Sequence, residues 1–416
     1  MLRFNKCKHY CSVSSKIRHT QGRYCGWEHD VEMTSPNIKV NTFFKEKKKT
    51  PFIDAQSKFF IIVESILGLN RTPLLFSKKR NLVVAISFGY CFLFKAALVY
   101  GTYRKKELFV PQFLCFIEYG FCCLFSLITW KRMERYYSGL NMFDNEIGCR
   151  PHLVAASMRN LCCMLVFSIS VGVFYFLTDQ FELSIDMNIM VMPMSLIHCL
   201  ELFYYGQLLS LLIPRLGLIN YYVESALSSG ESVARPKLDE FGLFKEKHCK
   251  NREMSKLMDM YYIAIKAYDF LIDAIKWQLV VILITTFGVT LNFCYHVSLS
   301  IIRNENPFMD IMSDMGIIAV EMIPLFSPCL FGDRVHNEVR RLRELIASRL
   351  YENKLDKLGR SAARALLALT EARDLSFSLL RMLQIDISLP FKFIGLLVTY
   401  LIILLQFDKV IHSSQS

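Results

Sequence analysis

Long apolar blocks separated by charged segments are the main pattern of this chain. Seven blocks are long enough to cross a bilayer core, which needs roughly 20 helical residues. They lie near residues 82–101, 108–130, 160–178, 188–212, 278–301, 312–332 and 391–407. A shorter apolar stretch at 59–69 carries Glu64, which favours an interfacial helix over an eighth span. The pattern therefore predicts an all-α polytopic membrane protein with seven transmembrane helices.

The charged segments between the blocks are also predicted to be helical. One apolar stripe follows the sixth span, and a second precedes the fifth span. The stripe after the sixth span consists of Val335, Val339, Leu342, Ile346 and Leu350. The stripe before the fifth span consists of Leu257, Tyr261, Ile265, Tyr268, Ile272 and Ile275. Residues 361–387 are helix-prone as well, and the polar residues 228–240 are the best candidate for a flexible loop. The stripes need partners, which could be one another, another subunit or the membrane surface.

Charge sets the orientation of the spans. Most of the 49 Lys and Arg residues lie in the N-terminal tail and in the segments after the second, fourth and sixth spans. Cytoplasmic loops carry an excess of these residues, so the N-terminus is predicted to be cytosolic and the C-terminus extracellular. Topology thus accounts for the net charge of +12. The basic residues form no recognition module, so a nucleic-acid partner is not expected.

This topology divides the chain into four regions. They are a flexible cytosolic tail at 1–58, a six-span bundle at 59–332, a cytosolic helical anchor at 333–390, and a seventh helix with a short outer tail at 391–416. Within the bundle region, residues 213–276 are predicted to be cytosolic helix extensions. None of the 14 Cys lies in a predicted outer loop, so reduced thiols are expected.

The motifs disfavour several function classes, although the first two stay open as alternatives. A seven-helix G-protein-coupled receptor has the opposite orientation, and its Asp-Arg-Tyr and Asn-Pro-x-x-Tyr motifs are missing from the expected places. A secondary transporter often has internal repeats, which the two halves do not show. No enzyme, cofactor or zinc motif occurs. His198 and Glu201 have a spacing that could ligate a metal, but a polar contact within the bundle is favoured.

Polar residues within spans are costly and often functional. We take those that could line a small-molecule pocket in the outer part of the bundle as candidates. The candidate ligand-pocket residues are Glu118, Tyr175, Asn292, Tyr295, His296, Asp314 and Glu321. Contacts between helices and an interfacial belt remain alternative roles for each of them.

The seventh span carries a polar stripe. Thr399 and Gln406 are seven residues apart, so they lie within roughly 20° of each other on a helix. Lys392 extends this stripe inward, and Tyr400 and Phe407 form a neighbouring one. Such a stripe should not face lipid. It could face a polar bundle interior or a pore assembled from several copies of the helix.

The motif at 399–407, TYLIILLQF, resembles the signature of insect gustatory receptors, and its lead-in at 380–398 is similar to that family's. The resemblance implies a ligand-gated, non-selective cation channel of four identical or related subunits. The last helix would line the shared pore, with its gate near the outer mouth. The cytosolic extensions of helices four to seven would form a subunit-joining region. The implied pore and gate residues are Thr399, Tyr400, Ile403, Gln406, Phe407 and Asp408.

The same resemblance implies the ligand and the cellular setting. A small-molecule tastant would bind in the outer part of helices two to six, and monovalent and divalent cations would permeate. The protein would lie among lipids in the plasma membrane of a sensory neuron dendrite. Sugar receptors tend to have an acidic residue where this chain has Leu401, which favours a bitter-type or divergent member. An odorant-receptor-like channel subunit, a seven-helix G-protein-coupled receptor and a secondary transporter remain the alternatives.

Overall fold

The structure is a computed structural model that describes most of the helical part of the chain. The described residues are 53, 55–67, 110–147, 185–227, 254–303, 308–352, 357–373, 375–379 and 383–413, with isolated positions within 69–96 and 166–170. Most of the predicted tail at 1–58 and most of the predicted spans at 82–101 and 160–178 therefore lie outside them. The count of seven spans stays a prediction.

Helices dominate the described residues. In chain order they are α1 Ala55–Ile66, α2 Val110–Ile147, α3 Ile185–Ser210, α4 Ile213–Leu227, α5 Met254–Arg303, α6 Phe308–Met322, α7 Phe326–Tyr351, α8 Lys357–Ala372 and α9 Leu389–Ser413. A 3₁₀ turn at Ile323–Leu325 contains Pro324 and separates α6 from α7. Two short strands, β1 Ser378–Leu379 and β2 Leu383–Gln384, pair antiparallel.

Five helical stretches among the described residues are long and apolar enough to cross a membrane. They are Phe113–Ile147, Met194–Ser225, Lys256–Ile302, Ile311–Tyr351 and Leu389–Val410. They coincide with the second, fourth, fifth, sixth and seventh predicted spans. The prediction of an all-α polytopic membrane protein is therefore confirmed.

The longest helices are too long to lie within a bilayer. Helix α5 has 50 residues, and at 1.5 Å per residue it measures about 75 Å. The hydrocarbon core is only about 30 Å thick, so more than half of α5 must lie beyond it. This length is consistent with the predicted helix extension before the fifth span.

The two predicted apolar stripes are buried within the chain itself. On α7, Val335, Val339, Leu342 and Ile346 are buried, and Leu350 packs beside them. The second stripe, on α5, lies in the same core, with Leu257, Tyr261, Ile265, Tyr268 and Ile275 buried and Ile272 packed against them. Helices of the same chain therefore cover both stripes, rather than another subunit or the membrane surface.

One helix prediction is wrong at its C-terminal end. The helix expected over 361–387 ends at Ala372, and the strands β1 and β2 follow. Phe377 and Leu379 are buried with half-buried Ser378 between them, a period of two that suits a strand. Tertiary packing overrides helix propensity here. Because Gly332 of α7 has no side chain, the backbone at Ile385, just after β2, can pack closely against α7. A Cβ at this glycine would lie only 3.0 Å from the carbonyl oxygen of Ile385.

Candidate functional site

Among the described residues, helix α9 packs against the rest of the bundle mainly along one narrow face. The chain turns at Asp386, whose Oδ1 accepts hydrogen bonds from the Ser388 backbone N–H at 3.1 Å and from its hydroxyl at 2.6 Å. Pro390 lies in the first turn of the helix, where its missing N–H costs nothing. On the packed face, Phe393 and Leu397 are buried, and Leu401 is half-buried.

This packed face belongs to a small apolar cluster apart from the main core. Phe393, Leu397 and Met322 form the cluster, and Phe287 of α5 packs against it. The Phe287 ring makes edge-to-face contacts with Phe393 at 5.5 Å and with Tyr400 at 5.6 Å between ring centroids. Few apolar contacts therefore hold α9 to its own bundle.

The predicted polar stripe lies on the opposite side of α9. At about 100° per residue, Thr399 and Gln406 are roughly 160–180° from Leu397 around the helix axis. Both side chains are exposed, as is Lys392. The Thr399 hydroxyl donates to the Gly395 carbonyl, 2.9 Å away in the same helix. The described residues of this chain therefore leave the stripe uncovered.

The other predicted gate residues flank this stripe. Ile403 and Phe407 are exposed, and Tyr400 is exposed except where its ring meets Phe287. Asp408 is half-buried, and its Oδ1 accepts a hydrogen bond of 3.2 Å from the Tyr295 hydroxyl of α5. The structure thus connects one predicted pocket residue directly to the C-terminal part of α9.

Two further pocket candidates lie in a buried network that we call the midspan cluster, formed by Glu118, His198, Thr285 and Glu321. His198 Nδ1 lies 2.8 Å from Glu118 Oε1, and Nε2 lies 3.1 Å from the backbone oxygen of Glu321. Thr285 donates to the second oxygen of Glu118. Both ring nitrogens of His198 face acceptors, so the geometry suits a ring that donates from both. The cluster joins α2, α3, α5 and α6.

The remaining pocket candidates are more scattered. Asn292 and Asp314 are half-buried on α5 and α6, and His296 is exposed, with its ring 6.3 Å from that of Tyr295. Tyr175 lies outside the described residues. The structure therefore places Glu118 and Glu321 together and associates Tyr295 with α9, and it draws no further candidates into either group.

A second buried network, the Arg71 cluster, consists of Glu64, Arg71, Glu201 and the ring of Tyr204. Arg71 donates to Glu64 Oε2 at 2.6 Å and to both carboxylate oxygens of Glu201 at 3.0 and 2.8 Å. Its guanidinium also lies 4.6 Å from the centroid of the Tyr204 ring. These contacts fasten α1 and the residues after it to α3.

The sequence pattern did not reveal the Arg71 cluster. Glu64 stood out as a charge in an apolar stretch, but Arg71 lay among many basic residues. The contact between Arg71 and Glu201 joins positions 130 residues apart, which no local spacing can indicate. His198 and Glu201 are neighbours on α3, yet they enter different clusters. Each makes the polar contacts within the bundle that the sequence favoured.

Glu64 predicts a pH dependence of stability. Burial raises the pKa of Glu64 to about 8, against the lowering effect of Arg71 and together with the raising effect of Glu201. The ordinary value is 4.5, so between about 4.5 and 8 the folded state holds a proton that the unfolded state releases. Stability therefore falls as pH rises through this window. We expect Glu64→Gln to flatten the decrease in Tm between pH 5 and 8.

The matched control for this prediction is Glu344→Gln. Glu344 is exposed and pairs with Arg340 one turn away on α7, at 2.9 Å. This substitution should leave the pH profile of Tm unchanged. Equal slopes for the wild type and Glu64→Gln would refute the assignment of the titration to Glu64.

A family model described as 7tm Chemosensory receptor matches residues 68–411, which includes α2 to α8 and nearly all of α9. No curated protein matches the chain.

Proposed function

Since the chain belongs to the 7tm chemosensory receptor family, we propose that it is a gustatory receptor that acts as a tastant-gated, non-selective cation channel. Chemoreception and several membrane spans are properties of the family. Taste and channel activity go beyond these family properties and are what we propose for this chain. The motif at 399–407, with Thr399-Tyr400 and Gln406-Phe407 complete, supports taste over olfaction.

The observation that carries the channel proposal is the uncovered polar stripe of α9. Lys, Thr and Gln side chains are costly against hydrocarbon, and the described residues of the chain do not shield them. Four copies arranged around a common axis would turn the four stripes toward a shared, water-filled path. We therefore propose a tetramer of this chain, alone or with related subunits.

Gln406 and Phe407 are the proposed gate, with Thr399 and Tyr400 deeper in the same helix. Ligand binding in the outer part of the bundle would shift α5 or α6. The hydrogen bond from Tyr295 of α5 to Asp408 is a direct route for such a shift to the end of α9. The small apolar cluster that holds α9 would resist this movement weakly.

Expression of the chain in cells, alone and with related subunits, tests this function. We expect a panel of bitter and other tastants to evoke a cation current and calcium entry. Gln406→Ala should change the conductance or the ligand concentration needed for gating, because it removes a polar group from the proposed pore. Leu404→Ala is the control, since Leu404 is exposed and lies about 140° from Thr399 and about 160° from Gln406 around the axis of α9.

Two results would count against the proposal. A receptor that reaches the cell surface with any of these subunits, yet conducts no ligand-evoked current, would exclude the channel function. Unaltered currents from Gln406→Ala would remove this residue from the gate. In the proposed setting the channel lies in the plasma membrane of a sensory neuron dendrite, and Leu401 after Thr-Tyr favours a bitter-type or divergent ligand class.

A further inference from the structure

A partly open cavity of about 300 Å³ lies between α5, α6 and α9. One wall is α9 itself, through residues that include Ile394, Leu397 and Leu401, and Phe326 of α7 contributes to the lining. Its volume is at the lower end of the range for small-molecule sites and equals that of about ten water molecules. The cavity involves the final helix, so it differs from the pocket proposed among helices two to six.

The lining of this cavity is almost entirely hydrocarbon. Methionines and aliphatic side chains from α6 and α9 face it, and the small side chain of Ala319 leaves room on the α6 wall. No Asp, Glu, Lys or Arg belongs to the lining. A charged ligand would lose its hydration there without compensation, so the chemistry selects an uncharged, lipophilic molecule.

Thr290 of α5 carries the hydroxyl on this wall, and its neighbour Cys294 adds a thiol, which forms only weak hydrogen bonds. Its hydroxyl is buried without a hydrogen-bond partner among the described residues. Helical threonines usually satisfy this group, as Thr129, Thr285 and Thr399 do by donating to the carbonyl oxygen four residues earlier. Threonine carries its methyl and hydroxyl on the same carbon, and both arrangements occur in helices. A change of χ1 would therefore present the hydroxyl to a molecule in the cavity.

We propose that this cavity binds a small, uncharged, lipophilic molecule with a single hydrogen-bonding group, which Thr290 contacts. The apolar body of the ligand lies against Leu397 and Leu401, and its polar group meets the hydroxyl. A lipid tail fits the hydrocarbon wall equally well but does not use Thr290. The unpaired hydroxyl is therefore what favours a ligand with one polar group.

The position of the site gives it an expected effect. Leu401 lies five residues before Gln406, about 8 Å along the helix axis. A molecule between α9 and the bundle would occupy the small area by which α9 is attached. It should therefore modulate gating. This consequence rests on the proposed channel function, whereas binding of the molecule to the cavity does not depend on that function.

Binding is measured on the purified full chain in phospholipid nanodiscs, by the rise in Tm with added 1-octanol, 2-octanone or n-octane. Ligands that bind the folded state raise Tm according to their affinity. In the wild type the two polar probes should stabilise more than octane at equal membrane concentration. Thr290→Val should weaken octanol and octanone binding about fivefold, the effect of losing one hydrogen bond, and leave octane unchanged.

Two further variants complete the test. Thr286→Val is the matched control, because its hydroxyl is also buried and unpaired one turn earlier, while Thr286 does not line the cavity. It should bind all three probes like the wild type. Ala319→Leu projects a larger side chain into the cavity, so it should sharply weaken stabilisation by every probe.

The proposal is overturned if octanol and octane stabilise equally, which would indicate a lipid tail or simple partitioning. It is also overturned if Thr290→Val and Thr286→Val behave alike. In cells, octanol should shift the tastant dose response of the wild type and not that of Ala319→Leu. A shift that Ala319→Leu retains would contradict modulation through this cavity, even where the binding result stands.

Discussion

Arg71→Met is expected to destabilise the protein by about 3–5 kcal/mol, the cost of breaking a buried ion pair. Arg71 neutralises Glu201 and donates a hydrogen bond to Glu64, and the side chains of all three residues are almost completely buried. Without the guanidinium, the Glu201 carboxylate would lie beside Glu64 with no counter-charge and little access to water. The expected observation is a large decrease in Tm for the purified variant, or loss of folded protein during expression.

Rescue separates the electrostatic cause from lost packing. Adding Glu64→Gln and Glu201→Gln to Arg71→Met removes the uncompensated charge of Glu201 and the titratable group beside it, so the triple variant should recover most of the lost stability. Arg340→Met is the control, because Arg340 and its partner Glu344 are both about two-thirds exposed. This exposed pair contributes little, and Tm should be unchanged. A triple variant no more stable than Arg71→Met would contradict the account.

Gly206→Ala is expected to destabilise the protein by about 1–3 kcal/mol through overpacking, and Gly206→Leu more severely. Gly206 lies where α3 crosses α7. An added Cβ would overlap the Ser327 hydroxyl and approach Phe331 Cδ2 to 3.0 Å and the Ser327 carbonyl carbon to 3.2 Å. Alanine gains about 1 kcal/mol over glycine in helix propensity, which the overlap with α7 outweighs. Thermal unfolding of the purified variants measures the difference.

Gly120→Ala provides the comparison for Gly206. Gly120 is also in the interior of a membrane-spanning helix, α2, but no atom lies within 4 Å of an added Cβ. The substitution therefore gains helix propensity without a steric cost, and Tm should stay the same or rise. If the two substitutions had equal effects on Tm, the close crossing of α3 and α7 would not be a determinant of the fold.

The apolar blocks and stripes predicted the helical architecture because burial follows helical periodicity. Val335, Val339 and Leu342 lie on the buried face of α7, as their spacing required. The strands at 378–384 were missed because their conformation depends on the close approach to Gly332, a contact distant in sequence. Local pattern predicts which residues share a face, whereas long-range contacts decide what that face meets.

The candidate site shows the same division. Spacing predicted that Thr399 and Gln406 share a face of α9, and the structure adds that the packed residue Leu397 lies opposite. Spacing could not show that Glu118 and Glu321 meet at His198, or that Tyr295 reaches Asp408. These contacts depend on how helices cross, which one sequence does not reveal.

The central claim, that α9 lines a shared pore with its polar stripe, is tested most directly by cysteine accessibility. Thr399→Cys, Gln406→Cys and Leu397→Cys are expressed separately, and a water-soluble, positively charged thiol reagent is applied during ligand-evoked current. The wild type, which has 14 cysteines, gives the background rate. The account predicts rapid block of Gln406→Cys and Thr399→Cys, with Leu397→Cys at the background rate. Rapid modification of Leu397→Cys with no effect at the two stripe positions would contradict it.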